Sequence, residues 1–341
     1  MKALVKRYAK PGIWMEEVPM PEVGVNDVLI KVRKAAICGT DLHMYKWDEW
    51  SQSHCKPPYI MGHEFVGDVV YAGSGVRNIK IGERVTAEGH IVCGQCRNCR
   101  RGMGHVCENS LSVGIFGKDG AFAEYVTIPE SNIVKLRDEI SDDFAAIMDP
   151  FGNATHTALA FPLLGEDVLI TGAGLIGTMA AGICRYAGAK HVVVTDINPL
   201  RLDIAKRMGA DVIVDGSKGE TVEQAMKQLG IRGFDVGLEM SGAPAAFNDM
   251  IAHMYKGANI AQLGILPKAT QVNWSDVIFN ALTIKGITGR RMWETWYQME
   301  QMLLGGLDLS PVITHRFKFE DFQQGFDIMV SGKCGKVLLE M

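Results

Sequence analysis

No apolar run in this sequence reaches the roughly 20 residues that a membrane-spanning helix needs, and neither sign of charge is in large excess, the formal net charge being −4 over 341 residues. The first absence gives no sign of a helix-anchored membrane protein. The second removes the electrostatic footprint expected of a nucleic-acid or anionic-lipid binder. Met1 to Trp14 lacks an apolar h-region, so it does not read as a secretory leader. The cytoplasm is therefore the expected location. The eight cysteines are expected as metal ligands or buried thiols rather than disulfides. Internal repeats, low-complexity tracts and disordered linkers are also missing, which argues against a repeat architecture. What is plentiful is apolar content, at 47%. The length exceeds that at which a single core stops growing, so two domains are expected.

The stretch from Asp167 to Asp196 organises the rest. Val168 to Ile170 reads as a buried strand and Met179 to Tyr186 as a helix. Gly172, Gly174 and Gly177 lie between them with G-x-G-x-x-G spacing, and the β-branched run Val192 to Val194 ends on Asp196. The glycines alone are a weak signal. Between a strand and a helix, with an acid closing the next strand, they form a dinucleotide fingerprint. Gly172 allows the tight turn, Gly174 lets a pyrophosphate approach the helix N-terminus, and Gly177 lets helix and strand pack closely. Asp196 accepts hydrogen bonds from an adenosine ribose and repels a 2′-phosphate, which favours NAD over NADP. Arg201 argues the other way, since a nearby arginine accommodates such a phosphate. With Asp196 at the strand end, Arg201 is read as packing near the adenine. Further strands are expected at Val212–Val214, Val236–Met240, Ile260–Leu263 and Thr283–Ile287, alternating with helical segments, as in a doubly wound parallel sheet. Gly242 and Gly264 fall just past strand ends, where ligands bind in such sheets.

Residues 1 to about 36 alternate apolar and polar positions between turn residues, and short β runs follow at Phe65–Tyr71, Arg84–Ala87 and Phe122–Ile128. A barrel-like β domain is expected there. Within it Cys38, Thr40, Asp41 and His43 share one short stretch, and His63 and Glu64 follow a Pro57-Pro58 turn. Cys, His and carboxylate are first-choice zinc ligands, and a catalytic zinc keeps one position open. Taken singly, Cys38 reads as a small buried residue and His63 as a core histidine. Together, with the fingerprint downstream, they favour a catalytic metal. Cys93, Cys96 and Cys99 are spaced C-x₂-C-x₂-C and Cys107 follows, which suits a closed Cys₄ zinc site. An iron–sulfur cluster has related spacing, and a redox dithiol needs only two cysteines. Asp142 and Asp143 suit a helix start, Asp149 before Pro150 reads as a turn at the crossing into the second domain, and the closing strand is expected to return to the first.

With these residues in view, the chain resembles the zinc-containing medium-chain dehydrogenase/reductase superfamily. The match runs end to end, through CGTDLH, GHE, the four-cysteine lobe and GAGLIG with its Asp. The resemblance implies an α/β protein with a GroES-like β-barrel catalytic domain over 1–150, a Rossmann nucleotide-binding domain over 151–290 and a return to the catalytic domain over 291–341. It implies NAD as cofactor, two zincs per subunit, one catalytic and one structural, and a homotetramer built through the nucleotide domains. The longer segments WDEWSQ, EGHIVCGQCRNCR, DPFGNATHTAL, EMSGAPAAF, GRRMWETWY and LDLSPVITHRF are similar to the branch that oxidises the secondary alcohol of L-threonine to 2-amino-3-oxobutanoate. A polyol or butanediol dehydrogenase is the rival on the same scaffold. A non-catalytic NAD-binding zinc protein is the rival of another class, and it would need no open zinc position.

The same resemblance assigns roles. Cys38, His63 and Glu64 would hold the catalytic zinc, and Cys93, Cys96, Cys99 and Cys107 the structural one. Thr40 and His43 match the residues that relay the alcohol proton. Asp149 stands where polyol-dehydrogenase relatives have a glutamate ligand and, being shorter, is assigned either near the ion or to the relay. Ile176, Asp196, Arg201, the Leu263-Gly264-Ile265 turn and the Ile287-Thr288 turn match cofactor contacts. Alcohol dehydrogenases often place a second cysteine at the catalytic zinc, and the corresponding Asp149-Pro150-Phe151 segment has none. Glu88 and Arg290 are conceivable partners for the ammonium and carboxylate of threonine.

Overall fold

The period-two pattern near the N-terminus becomes strand in the computed structural model, which describes residues 1–341. Asp27–Ile37 is the central strand of the first unit. It pairs antiparallel with Glu64–Ala72, with Tyr125–Pro129 and with the chain's last strand, Lys336–Glu340. Its alternate side chains Val28, Ile30 and Val32 are buried among Phe65, Val69, Phe122, Val126 and Leu339. Each such side chain contributes about 1.5–3 kcal/mol when taken fully out of water. The register Val337↔Ile37 sets the start of the last strand beside the residue that precedes Cys38. Gly62 has φ +94°, and a Cβ there would lie 2.5 Å from the Phe122 ring, so only glycine lets the chain turn tightly into His63.

This unit comprises Met1–Asp149 and Ile313–Met341, and the second comprises Pro150–Val312. In the second, six parallel strands run in the order Val212–Asp215, His191–Asp196, Asp167–Thr171, Phe234–Glu239, Met254–Gln262, Thr283–Gly286. That is the doubly wound order expected from the sequence, with its reversal beside Asp167–Thr171. The strand Asp167–Thr171 is buried along its whole length, as a sheet covered on both faces requires. No helix is long and apolar enough to cross a membrane.

Two expectations need correction. Asp149 and Pro150 do not form a turn but lie in the first turn of the helix Met148–Ala158. Proline is tolerated there because the first N–H groups of a helix have no partner within it. Residues 291–312, expected with the returning segment, belong to the second unit. The helix Glu294–Leu304 buries Trp296, Met299 and Met302, Leu307 lies beside Gly182, and a Cβ at Gly305 would overlap the Tyr186 hydroxyl. This apolar stripe ties the segment to the nucleotide sheet's helices, and the return begins only at Ile313.

Candidate active site

Cys38 ends the central strand region and is the N-cap of the helix Gly39–Lys46. Its backbone N–H donates to Asp41 Oδ2 at 2.9 Å, closing a capping box that fixes where the thiol points. His63 and Glu64 enter from the paired strand, and the ligand atoms of Cys38, His63 and Glu64 lie within 4.8 Å of one another. His63 and Glu64 are almost completely buried. Three polar atoms here, Asp41 Oδ1, His63 Nδ1 and Glu64 Oε1, are buried with no hydrogen-bond partner. Leaving such atoms unsatisfied costs about 1–3 kcal/mol each, so a cluster of them marks a place built for something else. Thiol, imidazole and carboxylate together are the donor set of zinc, and the residues fit that ion. Asp149 lies outside this trio, though its charge reaches both His63 and Glu64.

Two residues that the sequence reading did not assign surround this cluster. Asp41 is fully buried, with Oδ1 3.8 Å from His63 Nδ1, too far for a hydrogen bond but near enough for its charge to act on the ring. Burial pushes its carboxyl up to about 6 against the pull of the His63 charge. Burial alone would lower His63, but the Cys38 and Asp41 charges overcome it and push the metal-free ring up to about 10. Lys336, on the last strand, donates to Glu64 Oε2 at 2.6 Å and to the Ile37 carbonyl at 3.0 Å. Burial would lower this ammonium too, yet the Glu64 and Cys38 charges hold it above its ordinary value. The pair occupies one carboxylate oxygen of Glu64 and leaves Oε1 for the trio.

Thr40 Oγ1 lies 3.8 Å from Cys38 Sγ, and His43 is three residues further along the same helix, on the same face. His43 is exposed, and its Nδ1 is held by Asp48 at 2.5 Å. Asp48 is in turn fixed as N-cap of the helix Glu49–His54, accepting from the Ser51 N–H at 3.1 Å. With Nδ1 engaged, Nε2 is the nitrogen available for proton exchange. Glu88 is fully buried and accepts from the His90 backbone N–H at 2.9 Å and ring Nδ1 at 2.8 Å. Arg290 is buried against Gly152, with its guanidinium 5.5 Å from the Trp296 ring centre. Neither is presented to solvent as a ready partner for threonine's charged groups.

Cys93, Cys96, Cys99 and Cys107 bring their sulfurs within 4.8 Å of one another. The Cys107–Cys93 and Cys96–Cys107 separations are 3.5 and 4.0 Å. Tetrahedral zinc with Zn–S bonds of about 2.3 Å requires sulfurs about 3.8 Å apart, whereas a multi-iron cluster must fit between its cysteines and needs wider spacing. Backbone N–H groups of Gln95 and Cys96 hold the Cys93 thiol down to about 6, while desolvation and the neighbouring thiols push Cys99 up to about 12. Four thiols so close cannot all ionise unless a cation shares their charge.

In the second unit Gly172 has φ +94°, and a Cβ on Gly177 would lie 2.0 Å from the Gly172 carbonyl oxygen. Gly174 caps the helix Leu175–Tyr186, and a Cβ there would point into open space. That space is the cradle a pyrophosphate needs at a helix N-terminus. Asp196 accepts from the backbone N–H groups of Ala173, Ile197 and Asn198 at 2.7, 2.8 and 2.9 Å, and a carboxylate retains capacity for a ribose hydroxyl. Asp196, Arg201, Gly172 and Gly174 line one cavity of 810 Å³. Ile176 and Gly177 lie on the following helix. Leu263, Gly264, Ile265, Ile287 and Thr288 follow the last two strands and are not part of that lining.

Comparison with known proteins agrees with this geometry. The alcohol dehydrogenase GroES-like domain family matches residues 24–138, and the zinc-binding dehydrogenase family matches residues 176–305. The L-threonine 3-dehydrogenase of Alteromonas mediterranea is 59% identical over 341 residues, covering 100% of this chain and 99% of the relative. Among solved structures, 2R,3R-butanediol dehydrogenase from Bacillus subtilis superposes with a TM-score of 0.90 at 28% identity, covering 100% of this chain and 99% of that one. A short chain alcohol dehydrogenase from E. coli CFT073, complexed with cofactor NADH, has a TM-score of 0.90 at 26% identity, covering 100% and 99%. With near-twofold higher identity to the threonine enzyme over its full length, this chain belongs to the L-threonine 3-dehydrogenase family of zinc-binding dehydrogenases.

Proposed function

We propose that this protein oxidises the secondary alcohol of L-threonine to 2-amino-3-oxobutanoate, a step of threonine catabolism, using NAD and a zinc held by Cys38, His63 and Glu64. The observation that carries the reading is the buried trio with its unpartnered atoms, in a chain that matches L-threonine 3-dehydrogenases from end to end. When bound, zinc supplies a Lewis acid for the alcohol oxygen and NAD supplies the hydride acceptor. Lys336 holds Glu64 in place, and the Asp41 charge acts on the His63 ring. Thr40 and His43 carry the alcohol proton outward, with Asp48 fixing the ring of His43. Asp149 tunes the charge around the trio. The four-cysteine lobe serves as a second, structural zinc site. Gly172, Gly174, Ile176, Gly177, Asp196, Arg201, Leu263 to Ile265 and Ile287–Thr288 hold the dinucleotide. A homotetramer working in the cytoplasm completes the reading. The edge strand Thr283–Gly286 and the exposed Trp274, Ile278 and Phe279 offer a surface for a second copy. The test is incubation with L-threonine and NAD⁺, following NADH and the ketone product. NADH is expected in equal amount to the sum of the 3-keto acid and the aminoacetone that forms from it by loss of CO₂, and NADH formation with neither would contradict the reading.

Two predictions arise here. His43→Ala is expected to lower kcat by about 10²–10⁴, the range for a general acid–base group. Zinc content should be unchanged and the acid limb of the pH–rate profile flattened. Loss of zinc would make His43 a ligand, and wild-type rates across the pH range would remove it from the relay. Asp196→Ala is expected to weaken NAD⁺ about tenfold, by loss of charge-assisted hydrogen bonds, and to narrow the gap to NADP⁺. KM values for the two cofactors check this. Equal use of both by the unaltered protein would contradict the role of Asp196.

A further inference from the structure

We infer that Glu239 is the positioning residue of the dinucleotide site, its single buried carboxylate locking together the loops that face the cofactor. This rests on reading the carboxyl end of the parallel sheet as that site. Glu239 ends the strand Phe234–Glu239 and is fully buried. It lies opposite Thr171 on one neighbouring strand and Gln262 on the other, where the strand order reverses. Ligands bind at such a point.

A buried carboxylate so placed is costly unless it is fully hydrogen-bonded. Here it accepts from the Ser241 N–H at 2.9 Å, the Gly242 N–H at 3.0 Å, the Ser241 hydroxyl, and Gln262 Nε2 at 2.7 Å. Its own backbone carbonyl accepts from the Leu263 and Gly264 N–H groups at 2.9 and 3.0 Å. One residue therefore clamps both the Ser241-Gly242 turn and the Leu263-Gly264 turn. The packing leaves no slack. A Cβ at Gly264 would lie 2.2 Å from Glu239 Oε2 and 2.3 Å from the Gly242 nitrogen, and a Cβ at Gly172 would lie 2.8 Å from the Ser241 backbone. The fingerprint turn, the Ser241 turn and the Gly264 turn thus set one another's positions, with the carboxylate at their centre. Ser241 and Gly172 both line the 810 Å³ cavity, so a shift at Glu239 passes directly to the cofactor wall. A carboxylate is acceptor-only. The Ser241 and Gly242 N–H groups converge on Oε1 and Gln262 Nε2 on Oε2, so in Glu239→Gln an amide NH₂ at the Oε2 position would face the Gln262 NH₂. Gln262 could accept it only by turning its amide and giving up its 2.7 Å bond to the Gly264 carbonyl, which frees that turn.

The test uses the full-length, zinc-loaded protein. NADH affinity is measured by fluorescence titration, kcat and KM for NAD⁺ by steady-state kinetics, and zinc per chain and thermal midpoint as controls. Glu239→Gln is expected to weaken NADH and raise KM for NAD⁺ about tenfold or more. Turnover at saturating NAD⁺ should change far less, and zinc should remain in full. A folded, zinc-loaded Glu239→Gln protein with wild-type NADH affinity would overturn the inference, as would lost turnover at unchanged affinity. If that variant does not fold, Ser241→Ala decides, since it removes the hydroxyl that donates to Glu239 and accepts from the Ala243 N–H, and leaves the Ser241 N–H bond to Glu239 in place. A weakening of about threefold or more is expected from loss of one hydrogen bond to the carboxylate, and no change overturns the inference. Absence of NADH binding by the unaltered protein would be seen first and would overturn the dinucleotide reading itself.

Discussion

His63→Ala is expected to leave one zinc per chain in place of two and to lower turnover about 10³-fold or more, the several kcal/mol that a Lewis-acid metal contributes. The trio offers one thiol, one imidazole and one carboxylate oxygen, and the second oxygen of Glu64 is committed to Lys336 at 2.6 Å. Without the ring, two donors remain, too few to hold a catalytic zinc that must also keep a position open. The fold should survive, because Gly62 still makes its turn against Phe122 and Lys336 still balances Glu64. Metal analysis beside circular dichroism checks this. A variant with two zincs and no turnover would show that His63 acts on the reaction rather than on the metal.

Cys99→Ser is expected to give the opposite dissociation: one zinc lost, a lower melting temperature or weakened assembly, and near-normal turnover in whatever stays folded. Around the four thiols the chain has the short helix Arg97–Arg100, whose N-cap Cys96 accepts from the Cys99 N–H, and the 3₁₀ turn Gly104–Val106 that leads into Cys107, and no residue of either is buried. A segment with so little apolar burial depends on its metal for structure, since metal binding is folding energy in such lobes. Loss of that support should lower the midpoint by about 5 °C or more, the response of a mid-sized domain to a few kcal/mol. Thermal melts with zinc analysis decide it. A stable, fully zinc-loaded Cys99→Ser protein with selectively lost turnover would contradict a structural role.

What could be read from the sequence was what is local along the chain. The glycine fingerprint, its Asp196 and the four-cysteine spacing are each written within about thirty residues, and Gly172 and Gly177 sit where the backbone leaves no room for a side chain. Cys38 and His63 were readable because the two short motifs carry chemistry that buried side chains seldom share. Lys336 was not readable. It lies 272 residues from Glu64, in a stretch that looks like any lysine at the start of a closing strand, and only the register Val337↔Ile37 brings it to Glu64. Asp41 was seen in the motif, but its aim toward His63 depends on the capping box at Cys38. Glu239 falls inside the expected strand Val236–Met240, and nothing in its local sequence says that Thr171 and Gln262 flank it. The boundary at Ile313 was hidden because a helix with one apolar stripe does not say which core it covers.

The substrate is decided by kcat/KM with NAD⁺ for L-threonine, 2,3-butanediol and sorbitol. Threonine presents an ammonium and a carboxylate that the other two lack, and a site built to pair charged groups typically discriminates by about 10²-fold or more when they are missing. The account predicts that margin in favour of L-threonine. A kcat/KM for 2,3-butanediol or sorbitol equal to or above that for L-threonine would contradict it.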